Sequence, residues 1–362
     1  MGKYVWLLGG LLACAQGPKG QTAMPVTTAF EQAKSDTLAF TSAIRAIFQD
    51  AQGHYWFGSA QQGVARYDGQ AFTYFNQADG LADNHLHSIK EDHTGRIWFN
   101  TQSGISSFDG RKLQLHKRME NATSGIAIAQ SSQSEVPGSW MRQPGDLWFE
   151  AGNAPGAYRF DGQAMHYLLF PPQQPRNGSF QDYAVTAMAE GQQNRLWIAT
   201  YGAVFGFDGR DFTIINDATL GYHGSEQRLH VRSIFEDSKG RLWIGNNGLG
   251  VWLKEGDAYT DFSQKFGLVP PSSKRNGDQS PKGSLEHVFA IAEDRQGHIW
   301  FGDRDTGIWQ FDGTRMQQHH LGDGGTAHFV PSIYTDQKGV LWVGTGEGQV
   351  FTFNGKTFER QF

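Results

Sequence analysis

A short phrase built around one tryptophan recurs along the whole chain and constrains its fold more than any other feature. Seven copies follow one another at spacings of 42 to 57 residues. The phrase reads I-x-E-D-x-x-G-x-I/L-W-F/I-G in its most complete copies. A repeat of roughly 40–50 residues is typical of a propeller blade or of one turn of a solenoid. The seven tryptophans are Trp56, Trp98, Trp148, Trp197, Trp243, Trp300 and Trp342.

Each repeat contains four short apolar or alternating runs that are separated by turn residues. In the second repeat the runs are 85–91, 96–100, 104–108 and 112–116. Asp109-Gly110 lies between the last two runs and is a strong hairpin signal, because glycine adopts positive φ without steric cost. No segment has a sustained 3.6-residue apolar period. The pattern predicts an all-β fold, a seven-bladed β-propeller of four-stranded antiparallel blades over 37–362. A solenoid is the weaker alternative.

The repeated tryptophan and the aspartate six residues before it are interpreted as structural. A large indole in the second strand fills the space between neighbouring blades, and the aspartate accepts backbone hydrogen bonds in its turn. Carboxylates at five equivalent positions indicate turns rather than a catalytic group. Two repeats depart from the pattern, because Gly191 replaces the aspartate in the fourth and 131–146 is inserted before Trp148 in the third. The five aspartates are Asp50, Asp92, Asp237, Asp294 and Asp336.

The phrase resembles the two-component regulator propeller repeat. The segment Gly80-Leu81-Ala82-Asp83-Asn84 also matches the lead-in of that family, and the resemblance extends from Ile44 to Phe358. It implies a ligand-binding sensor propeller outside the cytoplasm. In the family such propellers commonly precede a membrane span and a histidine kinase, but this chain ends at Phe362 without room for a kinase. Streptogramin-lyase-type propellers are the nearest enzymatic resemblance.

The amino terminus predicts export and lipid anchoring. Residues 1–14 contain Lys3 and an apolar run, and they end in Leu11-Leu12-Ala13-Cys14, which resembles a bacterial lipoprotein signal. The run is too short to span a membrane. Cys14 is the only cysteine, so intramolecular disulfides are excluded and its thiol is free for acylation. Residues 15–36 are predicted to be a flexible tether. We expect a periplasmic or cell-surface lipoprotein; an ordinary cleaved signal is the alternative.

Composition and missing motifs narrow the function further. The formal net charge is −5 and the basic residues form no stripe, which argues against nucleic-acid binding. The chain has no G-x-S-x-G or H-E-x-x-H motif. We therefore expect no enzymatic activity and no cofactor, and membrane contact only through the lipid anchor.

Histidine and arginine recur at two positions, thirteen and eleven residues before a tryptophan, and predict a ligand site at the mouth of the central channel. Strand side chains alternate, so positions two residues apart face the same way. A ring of histidine and arginine would suit an anionic or sugar-like ligand, because arginine donates bidentately to carboxylate or phosphate. Three histidines can bind a transition metal in principle, but these blades are not consecutive and we predict no metal. The residues are His85, His230 and His287, thirteen before a tryptophan, and Arg45, His87 and Arg232, eleven before one.

Three functions remain open from the sequence. The leading hypothesis is a non-enzymatic propeller that binds a small molecule, a glycan fragment or an envelope protein. The second is a lyase or glycan-active hydrolase in which histidines and acidic residues on the face with the long inter-blade loops act as acid and base. Its candidate residues are His230, His287, Glu226 and Glu286. The third is a scaffold whose faces dock other envelope proteins, since one fold hosts many functions.

Overall fold

The described residues lie between Ser35 and Phe362. The predicted signal segment, Cys14 and all but the last two residues of the predicted tether lie outside the described part of the chain. The computed structural model describes residues 35–119, 140–152, 154–171, 180–222, 228–271, 273, 278–322 and 328–362.

The chain folds into seven sheets that succeed one another in sequence, and neighbouring strands within each sheet are antiparallel. The first sheet holds β1 (Ile44–Gln49), β2 (Tyr55–Ser59), β3 (Val64–Tyr67) and β4 (Phe72–Phe75), and the second holds β5 (Leu86–Glu91), β6 (Ile97–Thr101), β7 (Gly104–Phe108) and β8 (Leu113–Arg118). The third holds β9 (Leu147–Glu150), β10 (Gly156–Phe160) and β11 (Met165–Leu169), and the fourth holds β12 (Val185–Glu190), β13 (Leu196–Thr200), β14 (Val204–Phe207) and β15 (Phe212–Ile215). The fifth holds β16 (Val231–Glu236), β17 (Leu242–Asn246), β18 (Val251–Glu255) and β19 (Ala258–Asp261), and the sixth holds β20 (Val288–Glu293), β21 (Ile299–Asp303), β22 (Gly307–Phe311) and β23 (Met316–His319). The seventh holds β24 (Ser332–Thr335), β25 (Leu341–Gly344), β26 (Val350–Phe353) and β27 (Phe358–Gln361).

This architecture is the predicted seven-bladed β-propeller of four-stranded antiparallel blades. The third blade shows three strands among the described residues, and the run 126–130 that the sequence predicts as its first strand lies outside them. Helix is scarce, as expected from the missing 3.6-residue period. Within the described ranges, no helix has the length and apolarity needed to cross a membrane. The helical segments are α1 (Phe262–Lys265) and the 3-10 turns Gln77–Asp79, Phe180–Tyr183 and Gln192–Asn194.

The repeated aspartate and tryptophan form one hydrogen-bonded turn, which confirms their structural interpretation. In the fifth blade Asp237 Oδ1 accepts the backbone N–H groups of Lys239 and Arg241, at 3.0 and 2.9 Å. Its Oδ2 accepts the indole N–H of Trp243 at 2.8 Å. Gly240 between them has a φ of 75°, which glycine adopts at little cost. The aspartate therefore fixes the indole as well as the turn. The same indole bond joins Asp50 to Trp56, Asp92 to Trp98, Asp294 to Trp300 and Asp336 to Trp342.

The glutamate just before this aspartate connects neighbouring blades. Its side chain accepts the backbone N–H that follows the aspartate of the preceding blade: Glu91 Oε2 accepts from Ala51, and Glu293 Oε2 accepts from Ser238, at 2.8 and 2.7 Å. The recurring Glu-Asp pair in the sequence is thus two acceptors with different tasks. The aspartate closes its own turn, and the glutamate bonds the turn of its neighbour.

The fourth blade replaces its missing aspartate with a carboxylate from the next blade. Trp197 Nε1 donates to Glu236 Oε2 of β16, and the N–H of Gln192 donates to Glu236 Oε1 at 2.7 Å. Arg195 Nη1 lies 3.8 Å from the same carboxylate. A Cβ at Gly191 would lie 2.3 Å from Glu236 Oε2. Glycine therefore leaves the space that this substitute carboxylate occupies.

The first and last blades close the ring by packing directly on each other. The N–H of Ile44 donates to the carbonyl of Thr345 at 3.0 Å, and Ser332 Oγ donates to the carbonyl of Ile44 at 2.6 Å. Gln49 Oε1 accepts the N–H of Gln337 at 3.1 Å, the same inter-blade bond that glutamate makes elsewhere. Each sheet is built from one continuous segment, so no strand among the described residues is exchanged between the first and last blades.

Candidate functional site

A cavity of about 410 Å³ lies at the centre of the ring, lined mainly by the first strands of six blades. Its side chains form two layers. One layer, named the rim, stands eleven residues before the tryptophan in six blades, and the other, named the floor, stands nine residues before it in the same blades. Two residues along a strand correspond to about 7 Å. The rim residues are Arg45, His87, Thr186, Arg232, Phe289 and Pro331, and the floor residues are Ile47, Ile89, Met188, Ile234, Ile291 and Ile333.

A β-bulge places the rim residue in most blades. In the first blade Ile44 pairs with Ser59 and Ala46 pairs with Gly58, so Arg45 is an extra residue without a partner in the ladder. The register shifts at the same point around His87, Thr186, Arg232 and Phe289. Bulges re-aim a side chain and bend the strand. The repeated irregularity therefore directs one side chain per blade into the cavity.

Arg232 is held between two aromatic rings and forms no ion pair with any described residue. Its guanidinium carbon lies 4.9 Å from the ring centroid of Tyr201 and 5.1 Å from that of Phe289. Its Nη1 donates to the Tyr201 hydroxyl at 3.3 Å. The Nε atom is buried without a hydrogen-bond partner. The rings fix the position of this cation but leave its charge uncompensated.

Arg45 supplies a second cation to the same cavity. Among the described residues no hydrogen bond or ion pair involves its guanidinium. Burial lowers the pKa of Arg45, Glu150 raises it and Arg232 lowers it again. An arginine remains protonated in proteins despite such shifts. The described lining thus contains two guanidinium groups but a single carboxylate.

That carboxylate, Glu150, is hydrogen-bonded to His87. Glu150 is the last residue of β9, and its Oε2 contacts His87 Nδ1. With Nδ1 engaged, His87 Nε2 is buried without a partner. Thr186 Oγ1 is also buried and unpartnered. Three rim residues therefore carry a buried polar atom that the described protein leaves unpaired, whereas such atoms are uncommon in folded proteins.

The structure brings only half of the predicted ligand residues into the cavity. Arg45, His87 and Arg232 line it, whereas His85 and His230 lie beside it. The His85 ring is 5.3 Å from that of His87, and burial, with Arg45 and His87 nearby, lowers the pKa of His85 to about 4. His85 is therefore neutral near pH 7.

His230 and His287 instead contact other protein groups. The His230 ring meets Tyr201 edge-on, with ring centroids 4.8 Å apart. His287 is 1% exposed, and its ring nitrogens contact Asn247 Oδ1 at 2.8 Å and the carbonyl of Asp278 at 2.6 Å. Both ring nitrogens of His287 are thus engaged in packing loops together.

The acidic candidates of the enzymatic alternative are Glu286 and Glu226. Glu286 is 3% exposed and its Oε2 contacts Ser273 Oγ, while Glu226 and Cys14 lie outside the described residues. Across the described ranges, no group of three or more His, Cys, Asp or Glu side chains is arranged to hold a metal ion.

Sequence reasoning missed Glu150, Tyr201 and the floor. The signal for Glu150 was present, because the residue two positions after the tryptophan is glycine in four repeats and glutamate only in the third. The floor was equally readable, since every described repeat with a first strand has isoleucine or methionine nine residues before its tryptophan. Tyr201 has no such signal, because it lies in a loop and meets Arg232 only in the folded ring.

Similarity to known proteins agrees with this architecture. The two component regulator propeller family matches residues 39–61, 179–202, 226–248, 282–305 and 324–347. Among curated proteins no sequence relative was found. All solved structures named below are less than 25% identical, so their similarity supports the fold alone.

Two lyases and an extracellular domain are among the solved propellers that are similar to the chain. Virginiamycin B lyase from Staphylococcus aureus is 15% identical with a TM-score of 0.61, over 89% of this chain and 98% of the lyase. A streptogramin B lyase is 13% identical with a TM-score of 0.60, over 91% and 97%. The extracellular domain of a protein described as a hybrid two component system from B. thetaiotaomicron is 18% identical with a TM-score of 0.58. That match covers 88% of this chain but only 39% of the domain.

Five repeats match the family model, and the same phrase builds the turn and the inter-blade bond of the blades. The chain is therefore a propeller that carries repeats of the two-component regulator propeller family.

Proposed function

We propose that this chain is a non-enzymatic, extracytoplasmic binding protein whose ligand occupies the central cavity. The observation that carries the proposal is the pair of arginines on the cavity lining, Arg45 and Arg232, neither of which forms an ion pair with a described residue. A partly buried cation without an ionic partner costs free energy, so an occupant that supplies a negative charge is favoured.

A small molecule is the occupant favoured by the size of the cavity. About 410 Å³ falls in the range of roughly 300–1,000 Å³ of small-molecule sites. A glycan fragment is within this size, whereas a folded envelope protein would have to bind elsewhere on the propeller. Sensor-type recognition outside the cytoplasm is supported by the repeat family and by the name of the similar extracellular domain.

Thermal unfolding of the purified chain with organic acids, oligosaccharides and divalent metals tests this function. A ligand at 100 times its dissociation constant should stabilise the protein by about 2.7 kcal/mol. We expect the stabilisation to disappear in Arg232→Gln and in Arg45→Gln. Arg66→Gln is the matched control, since Arg66 also lies over an aromatic ring, Trp56, but does not line the cavity. A ligand that stabilises all four proteins equally would place binding outside the cavity.

An enzyme remains the second candidate, and the pair of His87 with Glu150 is the observation that favours it. A histidine oriented by a carboxylate is a common general base, and here it lies beside two arginines. Some of the similar propellers are lyases. Mass spectrometry of each stabilising ligand after incubation separates the candidates. Conversion by the wild type and not by His87→Gln would replace the binding function with an enzymatic one.

We also propose that Cys14 anchors the chain to a bacterial membrane through acyl chains. The support is the lipoprotein-like sequence ending at Cys14. Stable anchoring takes more than one acyl chain. In a bacterial host the wild-type chain should partition into the detergent phase of a Triton X-114 extract, and Cys14→Ser should remain in the aqueous phase. Equal partitioning of the two proteins would contradict the anchor.

A further inference from the structure

The charged side chains of the described lining belong to the rim or contact it, and of the serines between the two layers Ser233 and Ser332 donate their hydroxyls to backbone carbonyls. The rim carries Arg45, His87, Thr186 and Arg232, whereas the floor presents only isoleucine and methionine side chains. Of the floor residues, Ile47, Ile89 and Ile234 are each 7% exposed, so their apolar surface is enclosed. A ligand with hydroxyl groups all round, such as a sugar ring, would lose its hydrogen bonds to water at the floor without replacement. The cavity therefore fits a molecule that is polar at one end and apolar at the other.

The charges on the described lining indicate a negative charge on that polar end. The lining contains two guanidinium groups, Arg45 and Arg232, and one carboxylate, Glu150, which is already bonded to His87. At least one guanidinium charge on the described lining is therefore uncompensated. A carboxylate would balance it, whereas a phosphate monoester near pH 7 would bring a larger negative charge next to Glu150. A neutral ligand would leave the cation buried and unpaired.

The orientation of Arg232 favours a planar acceptor. Tyr201 and Phe289 lie against its guanidinium at 4.9 and 5.1 Å. Aromatic rings that cover the faces of a guanidinium leave its edge, which carries the N–H donors, for a ligand. Carboxylates accept two parallel N–H bonds from such an edge. Because the Nε atom of Arg232 is buried, the terminal Nη atoms are the donors that this geometry uses.

On these observations we propose that the ligand is a monocarboxylate with a compact apolar body. Its carboxylate lies between Arg45 and Arg232, and its branched aliphatic or aromatic body lies on the floor. This inference rests on the proposed binding function and adds the chemical class of the ligand. It narrows the earlier expectation of an anionic or sugar-like ligand to the anionic kind.

Matched probes test the class of ligand on the full chain. Isothermal titration would compare 4-methylpentanoate and phenylacetate with 4-methylpentanamide, acetate, an alkyl phosphate of equal length and a disaccharide. We expect the two larger carboxylates to bind, and the amide and acetate to bind at least tenfold more weakly. Arg232→Gln and Arg45→Gln should each weaken 4-methylpentanoate by about ten- to a hundredfold, as the loss of a charged hydrogen bond predicts. Arg66→Gln should bind it like the wild type.

A substitution in the floor tests whether the apolar body of the ligand lies there. Ile234→Thr shortens the side chain by one carbon and places a hydroxyl under the apolar body. It should weaken 4-methylpentanoate severalfold and leave acetate unchanged. Circular dichroism and thermal unfolding of every variant establish that it is folded.

The outcomes separate this inference from the function on which it rests. Preferred binding of the amide, the phosphate or the disaccharide, lost in Arg232→Gln, would overturn the monocarboxylate and keep the binding function. Carboxylate binding that is indifferent to both arginine substitutions would overturn the proposed geometry. Failure of every probe to bind the wild type would overturn the monocarboxylate, and a negative result in the broader screen as well would remove the binding function.

Discussion

Replacing Glu236 by alanine is expected to lower the free energy of unfolding by about 3–5 kcal/mol, as the loss of one partner from a buried charged cluster does. The Glu236 side chain is 1% exposed. It accepts the indole N–H of Trp197 and the backbone N–H of Gln192, and it faces Arg195. Alanine would leave the buried indole N–H of Trp197 and the backbone N–H of Gln192 without an acceptor. Equilibrium unfolding in urea measures the change.

The matched control is Glu293→Ala, which removes the same inter-blade bond at a site where the bonded groups are exposed. Glu293 accepts the N–H and the hydroxyl of Ser238, both exposed, while Trp243 has its own aspartate. The loss there should be about 1 kcal/mol, the net value of an ordinary hydrogen bond. Equal losses at Glu236 and Glu293 would show that the fourth blade does not depend on the borrowed carboxylate.

A double variant tests the same interpretation by rescue. Gly191→Asp alone should destabilise the protein, because its Cβ would lie 2.3 Å from Glu236 Oε2. In the double variant with Glu236→Ala that space is empty, and an aspartate at the position used by five other blades can accept the Trp197 indole N–H. The backbone φ of −94° at Gly191 is open to aspartate. We therefore expect the double variant to be more stable than either single variant, a coupling that a double-mutant cycle measures.

The second large effect concerns Asp303, whose buried carboxyl should make stability fall as the pH rises. Asp303 is 0% exposed. Burial raises its pKa to about 6, although backbone N–H groups of His287, Asp305 and Thr306 act in the opposite direction. Between the unfolded value, 3.8, and about 6 the folded protein holds a proton that the unfolded chain releases. The contribution is therefore complete below about pH 4 and is lost as the pH rises through 6. A shift of this size corresponds to about 3 kcal/mol.

The measurement compares unfolding of the wild type and Asp303→Asn in urea between pH 4 and 7.5. Every other carboxyl is common to the two proteins, so the difference between their free energies isolates Asp303. We expect the wild type to lose about 3 kcal/mol relative to the variant across this range. A relative gain in wild-type stability with rising pH would mean that the backbone N–H groups outweigh burial and stabilise the anion.

Much of the fold was predictable because it repeats. The tryptophan spacing predicted seven blades, and the aspartate that precedes five of the tryptophans was correctly assigned to a turn. These features are local: the turn of Asp237 closes within six residues and ends on Trp243. The third blade was the hardest to predict, since its repeat is interrupted by an insertion, and its predicted first strand lies outside the described residues.

The candidate site was predictable only in part. The position eleven residues before the tryptophan identified Arg45, His87 and Arg232 as cavity residues, because the repeat carries this position to the same place in each blade. The histidines at the position thirteen residues before it do not line the cavity. Alternation alone suggested that both positions face the same way, but a bulge at the rim residue interrupts the ladder in five first strands. The extra residue re-aims one side chain and breaks the simple period.

The sequence by itself thus determined the repeat, the strand order within a blade, the buried tryptophans and the strand position that faces the channel. Only the tertiary structure decided which residues meet across blades: Glu150 beside His87, Arg232 between Tyr201 and Phe289, and Glu236 in place of an aspartate at Gly191. The physical reason is the separation of the contacting residues along the sequence. Turns and strand faces follow from residues a few positions apart, whereas these contacts join side chains 31 to 63 positions apart whose proximity depends on closure of the ring.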